Sequence, residues 1–387
     1  MIGIAVALIF CVAIPVAIMA MLEPSLHKSA PKTANFRGVM VYSGLGIVWF
    51  VWLISFWISA QLLAVLNIEI PTWIQYLKPL FAVLAGSCAF GLFDDWAGSK
   101  NTRGFSGHLK ALARGQITTG GLKFIGIGSL SLFLAISLFY GGADPIVSSA
   151  AGSAVDSTVG STADTIAAST AVTAAGSTAI SILKVMLVTC IVALSANLMN
   201  LFDLRPGRAG KMYLLGLLVA LISIVTGELM QELGWLNLLA LALAALGPLL
   251  AVWRFDLGER GMLGDAGANS MGVFLGFLCA TSMPIWALCI AAAVLAAVNL
   301  LSEKVSFSKI IAGSKLLTTL DELGRTKDKL EAQEKHSWTE TQKTHSWTET
   351  QEKHSWTETQ KTHSQTGRTQ DTQLVMMEKI ENQEEGE

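Results

Sequence analysis

Three clusters of acidic and amide residues stand at the ends of apolar stretches, and each has the composition of a phosphate-handling site. The first is Gly91-Leu92-Phe93-Asp94-Asp95-Trp96. The second is Asn197-Leu198-Met199-Asn200-Leu201-Phe202-Asp203. The third is Gly264-Asp265-Ala266-Gly267. Paired carboxylates beside lipid are unfavourable unless they meet a cation. A hard cation such as Mg²⁺ takes oxygen ligands and keeps waters and substrate phosphates in its shell. The glycines around Asp265 would let the backbone come close to a phosphate, at the start of a helix whose free N–H groups favour an anion. Asn197, Asn200 and Asp203 are three apart and share a helix face. Asn197 reads equally as a site residue or as a hydrogen-bonding partner for a neighbouring helix.

Basic residues recur in the same gaps: Lys100, Arg103, Lys110, Arg114, Lys123, Arg205, Arg208 and Lys211. Alone they would be topology signals and lipid-headgroup contacts. Topology needs no acids, so carboxylates and glycines in the same gaps point to an anionic, metal-assisted substrate. His108, in Phe105-Ser106-Gly107-His108, is read as a structural residue of its loop in preference to a phosphate contact. The five cysteines, Cys11, Cys88, Cys190, Cys279 and Cys289, lie in apolar segments without a Cys-x-x-Cys spacing. They read as packing residues.

What positions these clusters is a membrane. The chain is 52% hydrophobic and 14% charged, against about a quarter charged in soluble domains. Spans are predicted near 2–22, 39–65, 78–93, 124–140, 181–201, 212–227, 236–252, 268–282 and 285–301. Each approaches the ~20 residues that cross a bilayer, and spanning backbone must be helical. The fold class is therefore an all-α polytopic membrane protein of about nine transmembrane helices. The gaps 23–38, 94–123, 202–211 and 253–267 hold Lys28, Lys32, Arg37, Arg254 and Arg260 as well as the basic residues above. The opposite gaps and span ends hold only Lys78 and Lys184. The positive-inside rule then puts the N-terminus outside, the C-terminus in the cytoplasm and all three clusters on the cytoplasmic face. With no basic stretch before the first apolar run, that run reads as a retained helix and not a cleaved signal.

In this order and on this face, the three clusters resemble the motifs of the polyprenyl-phosphate N-acetylhexosamine-1-phosphate transferases. That family, glycosyltransferase family 4, includes phospho-N-acetylmuramoyl-pentapeptide transferase. The resemblance covers residues 1–301. It implies transfer of a sugar-1-phosphate from a UDP-sugar to polyprenyl phosphate, dependent on Mg²⁺, at the cytoplasmic face of the cell membrane. By the resemblance Asp265 is the metal ligand, and Asp94 and Asp95 position the lipid phosphate or take its proton. Asp203 lies in the nucleotide pocket with Asn197 and Asn200. Lys123, Gly264 and Gly267 complete the binding residues. The implied partners are a membrane lipid and a nucleotide sugar, not a nucleic acid, and a homodimer is compatible with it. The sequence departs from the family at two places. Asp203 is followed by Leu204-Arg205-Pro206-Gly207 where the family has Gly-x-Asp-Gly, and residues 302–315 hold no histidine cluster. A catalytically silent polyprenyl-phosphate binder is the alternative reading. A lipid transporter is a third, opposed by the position of every acid of residues 1–301 in a loop or at a span end.

Outside the motifs, residues 143–179 are rich in Ala, Ser, Thr and Gly, lack Lys and Arg, and read as a disordered outer loop. Residues 302–335 are amphipathic and read as one or two helices on the inner membrane surface. Residues 336–387 carry a nine-residue repeat with histidines at His336, His345, His354 and His363. Nine residues rotate a helix face by about half a turn, so successive histidines would oppose one another. The tail reads as a disordered polar segment. The orientation is testable in a cysteine-free background: a membrane-impermeant maleimide added to intact cells is expected to label Ser161→Cys and not Ser337→Cys. The reverse pattern would invert the topology.

Overall fold

The structure is a computed structural model that describes residues 1–97, 114–115, 118–140 and 163–325, without the side chains of residues 140 and 163–178. The loop containing His108, residues 143–162 of the low-complexity stretch and the repeat tail lie outside the described residues. The architecture is all-α and polytopic. Helices α1 (Ile2–Ser29), α2 (Val48–Val65), α3 (Thr72–Leu77), α4 (Leu80–Ala97), α5 (Thr119–Tyr140), α6 (Ala163–Phe202), α7 (Arg208–Thr226), α8 (Leu229–Leu257), α9 (Gly264–Ser282) and α10 (Ile285–Ser302) are followed by short α11 (Phe307–Ala312) and α12 (Lys315–Glu322). Eight helices among the described residues are long and apolar enough to cross a membrane.

The ninth expected span, α9, is long enough at 19 residues but carries Asp265, Asn269, Ser270 and four glycines. It does not need an apolar surface. Nearly every residue from Ala266 to Leu278 is buried by other helices, so α9 meets protein instead of lipid. Small residues at Gly264, Ala268, Gly272 and Gly276 recur every four positions and let it approach its neighbours closely. A Cβ at Gly272 would collide with the backbone of Ser195 and Ala196 on α6, and one at Gly276 with Val192.

Two other expectations change. The span expected from residue 39 begins later, because Met40–Ser43 forms a strand. This strand, β2, pairs antiparallel with β1 (Lys32–Ala34) and parallel with β3 (Gly261–Met262). The Tyr42↔Gly261 register places the start of α9 three residues further on. The low-complexity stretch is also helical from Ala163 onward. Its many alanines have the highest helix propensity, and the apolar span that follows supplies a helix to extend.

Prolines shape the core by freeing carbonyls. Pro15 has no N–H to return to Cys11 O, and α1 widens into a π-helical turn over Ala7–Ala13. The freed carbonyl presses on Gly247 of α8, where no side chain would fit. Pro248 likewise leaves Ala244 O without its helical partner, and the Trp52 indole N–H donates to that oxygen at 3.0 Å. Trp52 also stacks on Phe56, with ring centroids 5.2 Å apart, and meets Phe274 of α9 edge-on. These contacts carry the packing from α8 through α2 to α9.

The glycine stripe makes a paired prediction. Gly272→Ala must push α9 from the α6 backbone and is expected to lower stability by about 1–3 kcal/mol. Gly128→Ala, with nothing within 4 Å of the added carbon, is expected to be neutral or slightly stabilising. Thermal unfolding of both variants in detergent checks this, and equal effects would show that α9 does not approach α6 closely.

Candidate active site

The three clusters meet where α4, α5, α6 and α9 end together, on the same side as the small sheet. Asp94 and Asp95 are neighbours in the last turn of α4 but point to different partners. Both oxygens of Asp95 accept backbone N–H groups at the start of α9: Oδ1 from Asp265 at 3.0 Å and Oδ2 from Ala266 at 3.2 Å. Asp95 thus caps α9 from a separate helix, where an anion is favoured by free N–H groups and the helix dipole. The backbone turns into α9 at Gly264 with φ +68°. A Cβ there would lie 2.5 Å from Asp95 Oδ2 and 2.7 Å from Ser43 Oγ. The anion that the glycine-rich start was expected to admit as a phosphate is, in the structure, the Asp95 carboxylate. Gly267 is likewise used in packing, since it lies against Gly46 with no room for a side chain on the facing residue.

Asp94 turns the other way, toward α5. Its Oδ2 lies 3.1 Å from Lys123 Nζ, and Asp265 Oδ2 lies 2.7 Å from the same nitrogen. Two carboxylates therefore share one ammonium, with side-chain exposures of 14%, 25% and 15% for Asp94, Asp265 and Lys123. Among the described residues no group of three His, Cys, Asp or Glu side chains is arranged to hold a metal ion on protein ligands alone.

Asp94 and Lys123 line one end of a cavity of about 530 Å³ that also meets Asn197, Asn200, Asn269 and Asn299. The remaining wall is mostly apolar, with Phe124, Ile125, Leu194, Leu201 and Leu300 among its residues. Asn197 and Asn200 are thus brought to the lysine. Asn197 is also tied to α10: its Nδ2 donates to Asn299 Oδ1 at 2.6 Å, and Asn299 Nδ2 donates to Leu295 O at 2.7 Å. Asn197 thus borders the cavity and also hydrogen-bonds a neighbouring helix.

Asp203 does not line this cavity. It lies near Asp95, Asp256 and Asp265, by the Gly264 N–H at the start of α9. Burial, followed by the charges of Asp256, Asp95 and Asp265, pushes its carboxyl well above the usual carboxylate range, while the Gly264 N–H acts in the opposite direction. Asp256 was not singled out in the sequence. It is 5% exposed and accepts the Gly207 N–H at 2.9 Å, fixing the turn between α6 and α7. A second, apolar cavity of about 600 Å³ lies between α1 and α4 and reaches Asp95 and Trp96.

The basic residues of the second motif have an internal partner. Arg208 grips Asp321 of α12 with two hydrogen bonds, Nε to Oδ1 at 2.8 Å and Nη2 to Oδ2 at 3.0 Å. Arg325 adds a third at 3.0 Å, and Arg205 lies 3.6 Å away. Lys211 donates to the carbonyls of Leu320 and Asp321 at 2.9 and 2.6 Å, closing the end of α12. Burial works against the Asp321 carboxylate, but the Arg208 hydrogen bond and the charges of Arg325, Arg208 and Arg205 hold it below the ordinary range. Only the Arg325 contact, four residues on, is local in sequence; Arg205, Arg208 and Lys211 lie more than a hundred residues before Asp321.

Fold and site define an all-α polytopic membrane protein with a half-buried acid–lysine cluster at one end of its helices. No family model matches the chain, and no curated protein matches it. The transferase resemblance therefore stands on the three motifs and their placement.

The Asp321 cluster makes the prediction here. A depressed carboxylate pKa contributes stability above its unfolded value and loses it as pH falls through the folded one. Residues 307–325 should therefore stay docked at neutral pH and loosen only below the ordinary carboxylate pKa of about 4. Asp321→Asn leaves buried guanidinium groups without their anion, an effect on the order of 3 kcal/mol. At pH 7.5 it is expected to speed tryptic cleavage at Lys309 and Lys315 at least tenfold. Unchanged cleavage would show that this cluster does not hold the segment.

Proposed function

We propose that the chain transfers a sugar-1-phosphate from a UDP-sugar to polyprenyl phosphate at the cytoplasmic face of the cell membrane. The observation that carries this reading is the convergence of Asp94 and Asp265 on Lys123 at a cavity whose wall is mostly apolar. An isoprenoid chain suits the apolar wall, and its terminal phosphate suits the lysine.

The reaction forms a bond between an oxygen of the lipid phosphate and the β-phosphorus of the UDP-sugar. The bond from that phosphorus to the oxygen bridging to the α-phosphate breaks, and UMP leaves with that oxygen. The reacting groups repel: two unit charges 4 Å apart at an effective dielectric of ~20 differ from neutral by about 4 kcal/mol. Lys123 offsets part of this. Asp94, freed from the lysine by the incoming phosphate, is placed to accept a proton from a singly protonated lipid phosphate. Asp95 acts as a positioning residue by holding the Asp265 backbone. Asn200 borders the cavity as a hydrogen-bonding group for the substrates, with Asn197 beside it. Asp203 supports the nucleotide side through its contact with Gly264.

The donor set fits Mg²⁺, since two carboxylate oxygens already converge on one cation and substrate phosphates would complete the shell. Asp265, with Asp94, would hold it. Bound there, Mg²⁺ would neutralise charge developing on the pyrophosphate. One observation favours a silent polyprenyl-phosphate binder instead: Lys123 already engages both carboxylates, in the place a metal would take.

A single assay separates the two. Purified protein with undecaprenyl phosphate, Mg²⁺ and a panel of UDP-sugars is expected to release UMP. Asp265→Asn, which keeps size but removes the anion, is expected to lower turnover by on the order of 10²-fold with the fold retained. If the parent binds the lipid and releases no UMP from any sugar, the silent-binder reading replaces the enzyme. If Asp265→Asn turns over like the parent at limiting Mg²⁺, the metal assignment fails.

A further inference from the structure

Asn269 lies one turn beyond Asp265 on α9, and four residues along a helix place the two side chains on one face. Its side chain is 1% exposed, and its amide Nδ2 has no hydrogen-bond partner. It also borders the cavity that holds Asp94, Lys123 and Asn200. The contrast with Asn197 and Asn299 is informative, because those two amides in the same wall satisfy one another. A buried donor without an acceptor destabilises a fold. Leucine, nearly the same size and a better helix former, would remove that defect. A buried, unpaired N–H group on a residue that borders a cavity is therefore stabilising only when a group in the cavity comes to accept its hydrogen bond.

The acceptor's chemistry follows from the surroundings. The cavity wall beside Asn269 is mostly apolar, and its nearest charged donor is the Lys123 ammonium. A phosphate monoester on an apolar chain, as the transferase reading supplies, accepts from both an amide and an ammonium. We propose that Asn269 donates from Nδ2 to a phosphate oxygen of the ligand in this cavity and so sets the depth at which the phosphate stops. This rests on the transferase reading above and adds a specificity-determining residue to it. The phosphate could belong to the lipid or to the nucleotide sugar, and the arms of the test distinguish them.

The test uses the full-length protein in detergent, with thermal shift and binding titrations against undecaprenyl phosphate, undecaprenol and a UDP-sugar. Asn269→Leu is expected to unfold at the same temperature as the parent or higher without ligand. Its affinity for undecaprenyl phosphate is expected to fall about tenfold, a loss of ~1.4 kcal/mol, with undecaprenol binding unchanged. Asn269→Ser, which keeps a smaller donor, is expected to recover part of the loss and serves if the leucine variant does not fold. A loss confined to the UDP-sugar supports the donor role and assigns the phosphate to the nucleotide. If Asn269→Leu is less stable and keeps the parent's preference for phosphate over alcohol, the amide is structural and the inference is overturned. If the parent binds neither phosphate, the inference and the transferase reading fall together.

Discussion

The structure depends most on the capping of α9 by Asp95. A helix start deep among other helices presents N–H groups that no intrahelical carbonyl reaches. Asp95 supplies two acceptors from α4 and thereby fixes α9 along its axis against α4. That contact needs close approach, and a side chain at either Gly46 or Gly91 would strike the first turn of α9. It also decides where Asp265 points. With its backbone N–H held by Asp95, the Asp265 side chain reaches Lys123 on the other side. One residue of the Asp94-Asp95 pair thus builds the site, and the other enters it.

The same economy of backbone partners runs through the apolar part of the fold. Water cannot satisfy polar groups within the hydrocarbon, so each carbonyl freed by a proline needs a protein partner. Trp52 provides one for Ala244, and Tyr213 donates to the adjacent Ala245 O at 2.8 Å. These bonds satisfy the polar tips of Trp52 and Tyr213, which are otherwise fully buried. They also join α2, α7 and α8 around α9, so the helix bearing Asp265 and Asn269 is surrounded by rigid neighbours and its side chains are preorganised.

Charge on the polar face is divided between two clusters with different physical characters. At Asp94, Asp265 and Lys123 two anions share one cation, and the group borders an open cavity. At Asp321 one anion is surrounded by Arg205, Arg208 and Arg325, and it is 3% exposed. The first cluster has more carboxylates than cations and opens to the cavity. The second is closed and holds α12 against the start of α7. Phe36 adds a face to it, with the Arg205 and Arg325 guanidinium groups 5.0 and 5.5 Å from its ring centre.

The sequence alone determined the membrane class and the residues of the acidic clusters. Both rest on local properties: apolar length, and carboxylates placed at the ends of spans. It also marked Lys123, Asn197 and Asn200, which the fold brings to one cavity. It could not show that Asp95 caps α9, because a cap supplied by another helix has no fixed spacing. Nor could it show that Arg205, Arg208 and Lys211 are occupied by Asp321 and α12, which lie over a hundred residues away. Asn269 lies two residues beyond the third motif and on the Asp265 face, yet its meaning depends on lacking a partner. That is a property of everything packed around it, and only the tertiary structure decides it.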